Sequence, residues 1–414
     1  MFRRLNLPFS KDVLWSRVLI LSLVLFFLFL GDAILSFWVP GFVQDSLSSS
    51  IAMGFVMSFS SIVGLGADLV LPQLIKGITV RKLLILGIFA SLGFSIILLG
   101  ATGSPLIMVF LIGMALWGLY YELLGFAGQQ FVADVVPLKL HSASWAVIGT
   151  FKNLAYFLGP ILGGWILIKG NRMPPLFAIL FVLIGFFILI AAGKKQDRKL
   201  DFDVREVNFF REITHWAVLF KRVWPVITMS VFMGLIDSFF WTVGTIYTEK
   251  LANVSWLGNL FLPIYTLPSL FMGFVVAKWG IYQGKKKLAE ILLMISGLLL
   301  SFLIFSDSIF WLLFMVFTSS LLLAIVYPLV DGVYSDVTAR MGSERRHMIG
   351  LSNSTISLAY VIGPIMAGFI ANFVGEKMTF TVIGMLTAFV SGILLLTTPK
   401  KLKLPQEEIK TWED

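Results

Sequence analysis

The sequence predicts an all-α membrane protein of twelve transmembrane helices in two pseudo-symmetric six-helix bundles. Three observations carry that expectation. The first is composition: 58% of residues are hydrophobic and only 13% charged, with a mean hydropathy of +0.92. A soluble domain cannot cover so much apolar surface. The second is duplication. LAYFLGPILGGWI (Leu154 to Ile166) returns as LAYVIGPIMAGFI (Leu358 to Ile370), identical at eight of thirteen positions at an offset of 204. The third is charge asymmetry: 27 of the 32 Lys and Arg residues fall on one side of the alternating apolar segments.

A hydrocarbon core about 30 Å thick asks for roughly 20 apolar residues per helix. Six stretches meet this in the first half, at 16–40, 48–73, 82–103, 104–128, 142–168 and 174–193. Six more follow at 222–247, 254–278, 286–306, 308–331, 348–372 and 376–398. Uninterrupted runs such as LILSLVLFFLFL exclude outer-membrane barrel strands, which are shorter and alternate in polarity. The first span reads as a retained helix rather than a signal peptide. It is too long, lacks a small-residue cleavage site, and carries Asp32 in register with Asp237 of the seventh span. The bundles are thus expected over 1–193 and 222–414, the second with a short polar tail. Residues 194–221 form a cytoplasmic linker, charged at first (KKQDRKLDFDVRE) and then amphipathic through Val204, Val207, Phe210, Ile213 and Ala217. A helix lying on the cytoplasmic leaflet is expected there. The excess of Lys and Arg places both termini in the cytoplasm of a cell-membrane protein. It also accounts for the net charge of +9 without a nucleic-acid partner.

Charge at mid-membrane is costly, so ionisable groups there face a cavity or a partner. Spans 3, 6 and 12 have none in their interiors, which suits a lipid-facing position. Asp32, Asp68, Glu122, Lys152 and Asp237 lie in spans 1, 2, 4, 5 and 7. Asp32 and Asp237 each stand fifteen residues beyond an arginine (Arg17, Arg222), about 22 Å along a helix. They are the leading candidates for proton or substrate binding. Burial of a carboxyl group favours its protonated form, and protonation can bias which side a cavity opens to. The plainer alternative is a carboxylate hydrogen-bonded to a neighbouring helix. Glu122 and Lys152 could pair, since a lone buried ion is unfavourable. Alternatively Glu122 is a second proton site and Lys152 meets an anionic group of a substrate. Tyr121, Tyr156, Trp38 and Trp241 are candidate cavity aromatics, as is Tyr360 beside the second Gly-Pro run. The two tryptophans could equally anchor the membrane interface. The chain has no cysteine, its histidines (His141, His215, His347) are scattered, and no ATP-binding loop or nucleophile–base–acid set is visible. Neither an enzyme nor a metal or cofactor is expected.

The pattern resembles the major facilitator superfamily over nearly the whole chain. The loop between spans 2 and 3 keeps the basic end of a family motif as Arg81-Lys82, with Lys76 and Thr79 where the family has Asp and a second Gly. Asp68 could serve that loop's acid–base latch. The pseudo-equivalent loop reads Gly284-Lys285-Lys286. Asp134-Val-Val-Pro137 looks like the family's Asp-x-x-Pro stretch, with Asp336 as its counterpart. Span 5 is similar to the family's antiporter motif, Gly-x8-Gly-x3-Gly-Pro-x2-Gly-Gly, at Ala146, Ala155, Gly159, Pro160, Gly163 and Gly164. Span 11 repeats it at Gly350, Ala359, Gly363, Pro364, Ala367 and Gly368. Small residues at these spacings let a neighbouring helix approach closely, and proline permits a bend. The resemblance implies a secondary active transporter working by alternating access, with proton-coupled efflux of a small molecule as the leading direction. A nutrient uptake symporter and a non-transporting membrane receptor are the alternatives. The expected partners are the lipid bilayer, a small-molecule substrate and protons, with the chain acting as a monomer.

Overall fold

The computed structural model describes residues 13–74, 78–101, 106–136, 141–193, 209–272, 275–276, 284–341, 345–399 and 402. The first half holds α1 (Val13–Leu47), α2 (Ser50–Leu74), α3 (Val80–Ala101), α4 (Ile107–Val135), α5 (His141–Leu167) and α6 (Met173–Ala191). The second holds α7 (Phe209–Phe240), α8 (Val243–Val254), α9 (Phe261–Thr266), α10 (Lys285–Ser301), α11 (Ile309–Ala339), α12 (Arg345–Val374) and α13 (Glu376–Thr397). Among the described residues, ten helical stretches are long and apolar enough to cross a bilayer.

Two local features depart from a simple helix per span. The stretch expected as an eighth span is broken. After α8 come a 3₁₀ turn at Trp256–Leu260, the short α9, and another 3₁₀ turn at Leu267–Leu270. Pro263 and Pro268 lie in these pieces and cannot donate to a helical ladder. Residues 209–221, read as part of the linker, form the first turns of α7 without interruption. Residues 194–208 lie outside the described residues.

The chain forms two compact units, Met1–Trp38 with Gly66–Phe202, and Val39–Leu65 with Asp203–Asp414. Within unit 1, α3 packs on α4 and α6, and α5 on α4 and α6. Within unit 2, α10 packs on α11 and α13, and α12 lies along α7. The helices expected to face lipid show large apolar residues outward. Phe89 and Ile96 on α3 are 61% and 60% exposed, Phe187 on α6 64%, and Leu396 on α13 86%.

Candidate functional site

In unit 1, α1 carries Asp32 into the interior, where it is 2% exposed. Its Oδ1 accepts the indole N–H of Trp117 at 2.5 Å. Its Oδ2 accepts the hydroxyls of Tyr121 at 2.7 Å and Tyr156 at 2.8 Å. Trp117 and Tyr121 stand four residues apart on α4 and so share a face, while Tyr156 comes from α5. Three helices thus converge on one carboxylate, and its charge is met by three hydrogen bonds of the stronger, charge-assisted kind. Trp117 is held in turn by Phe94 of α3, stacked at 4.9 Å between ring centres with the planes 14° apart.

Glycine is what lets α5 come this close. A methyl group built on Gly159 would lie 2.9 Å from the carbonyl carbon of Ala33 and 3.1 Å from its Cα, and nearer still to its Cβ. One turn on, a methyl at Gly163 would lie 2.9 Å from the Phe37 ring. The small-residue run therefore seats α5 on α1 around Asp32, and Tyr156, three residues before Gly159, reaches the acid. Pro160 sits inside α5 without ending it, and Gly164 is half-buried.

Unit 2 repeats the device. Asp237 on α7 is half-buried; its Oδ1 accepts the Tyr265 hydroxyl at 2.6 Å and its Oδ2 accepts that of Tyr360 on α12. Gly363, three residues after Tyr360, faces Ser238, the neighbour of Asp237: a methyl there would lie 2.8 Å from the Ser238 Cβ and closer to its Oγ. Tyr265 stacks on Phe240 at 3.8 Å with the planes 9° apart. The same helix makes a second close approach within this unit. A methyl on Gly54 of α2 would lie 3.0 Å from the Pro364 carbonyl carbon, and one on Gly368 would lie 3.1 Å from that of Ser50. There α2 and α12 touch backbone to backbone.

The Lys152 ammonium lies 5.1 Å from the Phe29 ring centre and 5.8 Å from that of Tyr156, in cation–π contact. Its charge also acts on Asp32. Glu122 is half-buried on α4, beside Tyr121. Trp38 is 2% exposed, packed inside rather than held at an interface. Trp241 is half-buried at the break between α7 and α8, its backbone N–H donating to the Asp237 carbonyl at 3.0 Å. Trp117 and Tyr265 were not singled out in sequence. Trp117 carried a signal, its i, i+4 spacing from Tyr121; Tyr265 sits in the broken stretch, where helical spacing gives no guide.

The basic loop residues act as staples. Arg81 at the start of α3 donates to the Gly193 carbonyl beyond α6 at 2.8 Å, and Lys82 is exposed. In unit 2, Gly284 takes the left-handed conformation (φ 71°) that opens α10. Lys285 then bridges to Asp336 on α11 at 2.8 Å. Lys286, 5% exposed, pairs at 2.6 Å with Glu290, which is fully buried, and also donates to the Pro399 carbonyl at 3.1 Å beyond α13. The start of α3 is thus tied to the end of α6, and the start of α10 to the end of α13. The side chains of Asp68 and Asp134 lie outside the described residues.

The family model described as Major Facilitator Superfamily matches residues 21–343 and 252–413. The chain is 24% identical over 284 residues to the quinolone resistance protein NorA of Staphylococcus aureus (strain MSSA476), covering 67% of this chain and 70% of that protein. It is 23% identical over 366 residues to multidrug resistance protein 2 of Bacillus subtilis (strain 168), covering 83% and 86%. Among solved structures, a crystal structure of the peptide transporter POT in complex with sulfate matches with a TM-score of 0.73 at 14% identity, over 94% of this chain and 96% of that one. That last likeness is one of fold. With the family match spanning most of its length, this multi-pass membrane chain belongs to the Major Facilitator Superfamily.

Proposed function

We propose that the protein is a proton-coupled exporter of small lipophilic molecules, working by alternating access. The observation that carries this reading is the buried Asp32 carboxylate, gathered by donors from two other helices. Gaining a proton removes the charge that those donors serve, so the packing of α1 against α4 and α5 responds to protonation. Asp237 with Tyr265 and Tyr360 is a second such centre. Lys152 tunes the charge around the first, and Glu122 beside Tyr121 is a candidate second proton site. The names of the two relatives, one a quinolone and one a multidrug resistance protein, support efflux of drug-like compounds. We read the working halves as 1–193 and 222–414, joined by 194–221. The Lys and Arg excess supports cytoplasmic termini in the plasma membrane, and a monomer with no catalytic chemistry of its own suffices for this function.

The test is reconstitution in liposomes under an imposed pH gradient, with a panel of lipophilic drugs. Proton movement should begin when a transported drug is added and should vanish in Asp32→Asn, while that variant still folds and binds drug. Normal coupled transport by Asp32→Asn would remove Asp32 from the mechanism.

A further inference from the structure

We infer that Trp117 is a positioning residue that fixes which oxygen of Asp32 takes the proton, and that the proton is stored in a ring of three oxygens. The inference rests on Asp32 being the proton site proposed above. Asp32 Oδ2, the Tyr121 hydroxyl and the Tyr156 hydroxyl form a triangle with sides of 2.7, 2.8 and 3.3 Å. In the ionised state both phenols spend their single hydrogen on Oδ2. Two edges then carry a hydrogen bond, and the long edge between the tyrosines carries none.

One added proton changes that count to three hydrogens for three edges. The new Oδ2–H donates to one tyrosine, that tyrosine turns its hydrogen to the other, and the second keeps its bond to Oδ2. The ring closes without losing a bond, and the Tyr121–Tyr156 edge gains one, joining α4 to α5. No bond to carbon breaks, and the proton remains on the carboxyl group. A phenol can make this turn because it both donates and accepts.

Oδ1 has no such option at its indole contact. The Trp117 N–H donates only, so a proton placed on Oδ1 finds no acceptor in that group. Trp117 cannot swing aside easily, being 5% exposed and stacked on Phe94. The proton therefore goes to Oδ2, and Oδ1 becomes a carbonyl hydrogen-bonded to the indole. Among the described residues, the charged and titratable groups that act on the acid are Tyr120 and Tyr121 from α4 and Lys152 and Tyr156 from α5. Ser36 of α1 also hydrogen-bonds Tyr121.

The experiment is pH-difference infrared spectroscopy on the full chain in lipid. Acidification should produce a carboxylic C=O band that is missing in Asp32→Asn. In Trp117→Phe that band should move to higher frequency, because its carbonyl has lost the donor. Tyr121→Phe and Tyr156→Phe leave Oδ1 alone, so they should keep the band position while altering the proton uptake. A band unmoved by Trp117→Phe overturns the inference and leaves the Asp32 reading standing. A spectrum that Asp32→Asn does not change overturns the proton-site reading instead. If Trp117→Phe fails to fold, the two tyrosine variants decide: a band that moves upward in either places the carbonyl on the ring side and refutes the assignment.

Discussion

Replacing Gly159 by alanine should push α5 off α1 and cut Tyr156 away from Asp32. The added methyl would sit 2.9 Å from the carbonyl carbon and 3.1 Å from the Cα of Ala33. Ordinary carbon contact is about 3.5–4.0 Å, so these two contacts alone part the helices by roughly 0.5–1 Å, and the still nearer Ala33 Cβ demands more. The obstacle is the Ala33 backbone and its Cβ, none of which a rotamer change can move. Tyr156 now reaches Asp32 at 2.8 Å. A retreat of about 1 Å carries that pair past the roughly 3.0 Å limit of an O–H···O bond. Overpacking typically costs about 1–3 kcal/mol. Loss of a hydrogen bond to a charged group costs about 1.5–3 kcal/mol. The expected outcome is a clear fall in melting temperature together with loss of proton-coupled transport in liposomes. Tyr156→Phe separates the two parts, since it removes the bond without adding the methyl. Placing Gly159→Ala on top of Tyr156→Phe should then add only the overpacking loss. A Gly159→Ala protein with wild-type melting and wild-type coupling would refute the claim that this glycine sets the distance between Tyr156 and the acid.

Other perturbations test the remaining geometry. Asp237→Asn should impair coupled transport less than Asp32→Asn, because Asp237 is half-buried whereas Asp32 is 2% exposed; equal losses in the same liposome assay would contradict this. Lys286→Met should destabilise by about 3–5 kcal/mol, the usual result of leaving a buried partner charge alone, here the fully buried Glu290. Lys285→Ala removes a pair whose Asp336 is 56% exposed, and should cost under about 1 kcal/mol; thermal melts of the two variants decide. Gly54→Ala should part α2 from α12. Because the chain has no cysteine, a single Ser50→Cys can report the parting as faster reaction with a water-soluble maleimide, and an unchanged rate would argue against it.

What the sequence made legible follows from what leaves a periodic or repeated trace. Asp32 and Asp237 stand out because charge is rare in apolar spans and because both recur at one depth. The Gly-Pro runs recur in register and mark where helices can touch. Partners across helices leave no such trace, since they depend on how each helix is rotated about its axis. Trp117 lies 85 positions from Asp32, and only the fold brings them together. Lys152 shows the same difficulty: charge alone suggested Glu122 as its mate, whereas the rings of Phe29 and Tyr156 also lie within its reach. Hydropathy likewise reads 254–278 as a span and is blind to the missing proline N–H groups that break it.

The duplication has kept one half of each centre and changed the other. Asp32 with Tyr156 and Gly159 matches Asp237 with Tyr360 and Gly363, so the contact of first with fifth helix is common to both units. The remaining donors differ. At the offset of 202 that pairs Asp134 with Asp336, Trp117 and Tyr121 correspond to Ser319 and Leu323; the Ser319 hydroxyl is engaged with Ser296, and leucine cannot donate a hydrogen bond. Unit 2 instead recruits Tyr265 from its broken stretch, while the repeat offset from Tyr265 leads back to Ser61 on α2. Beyond the shared bond from the fifth helix, Asp32 is held by the intact α4, and Asp237 by Tyr265 on the short pieces of helix that contain proline. Continuous helices transmit a displacement along their length, whereas a chain of turns bends locally. Two acids at equivalent places in the repeat are thus bonded to elements of different regularity, and unequal effects of Asp32→Asn and Asp237→Asn in the liposome assay are the expected consequence.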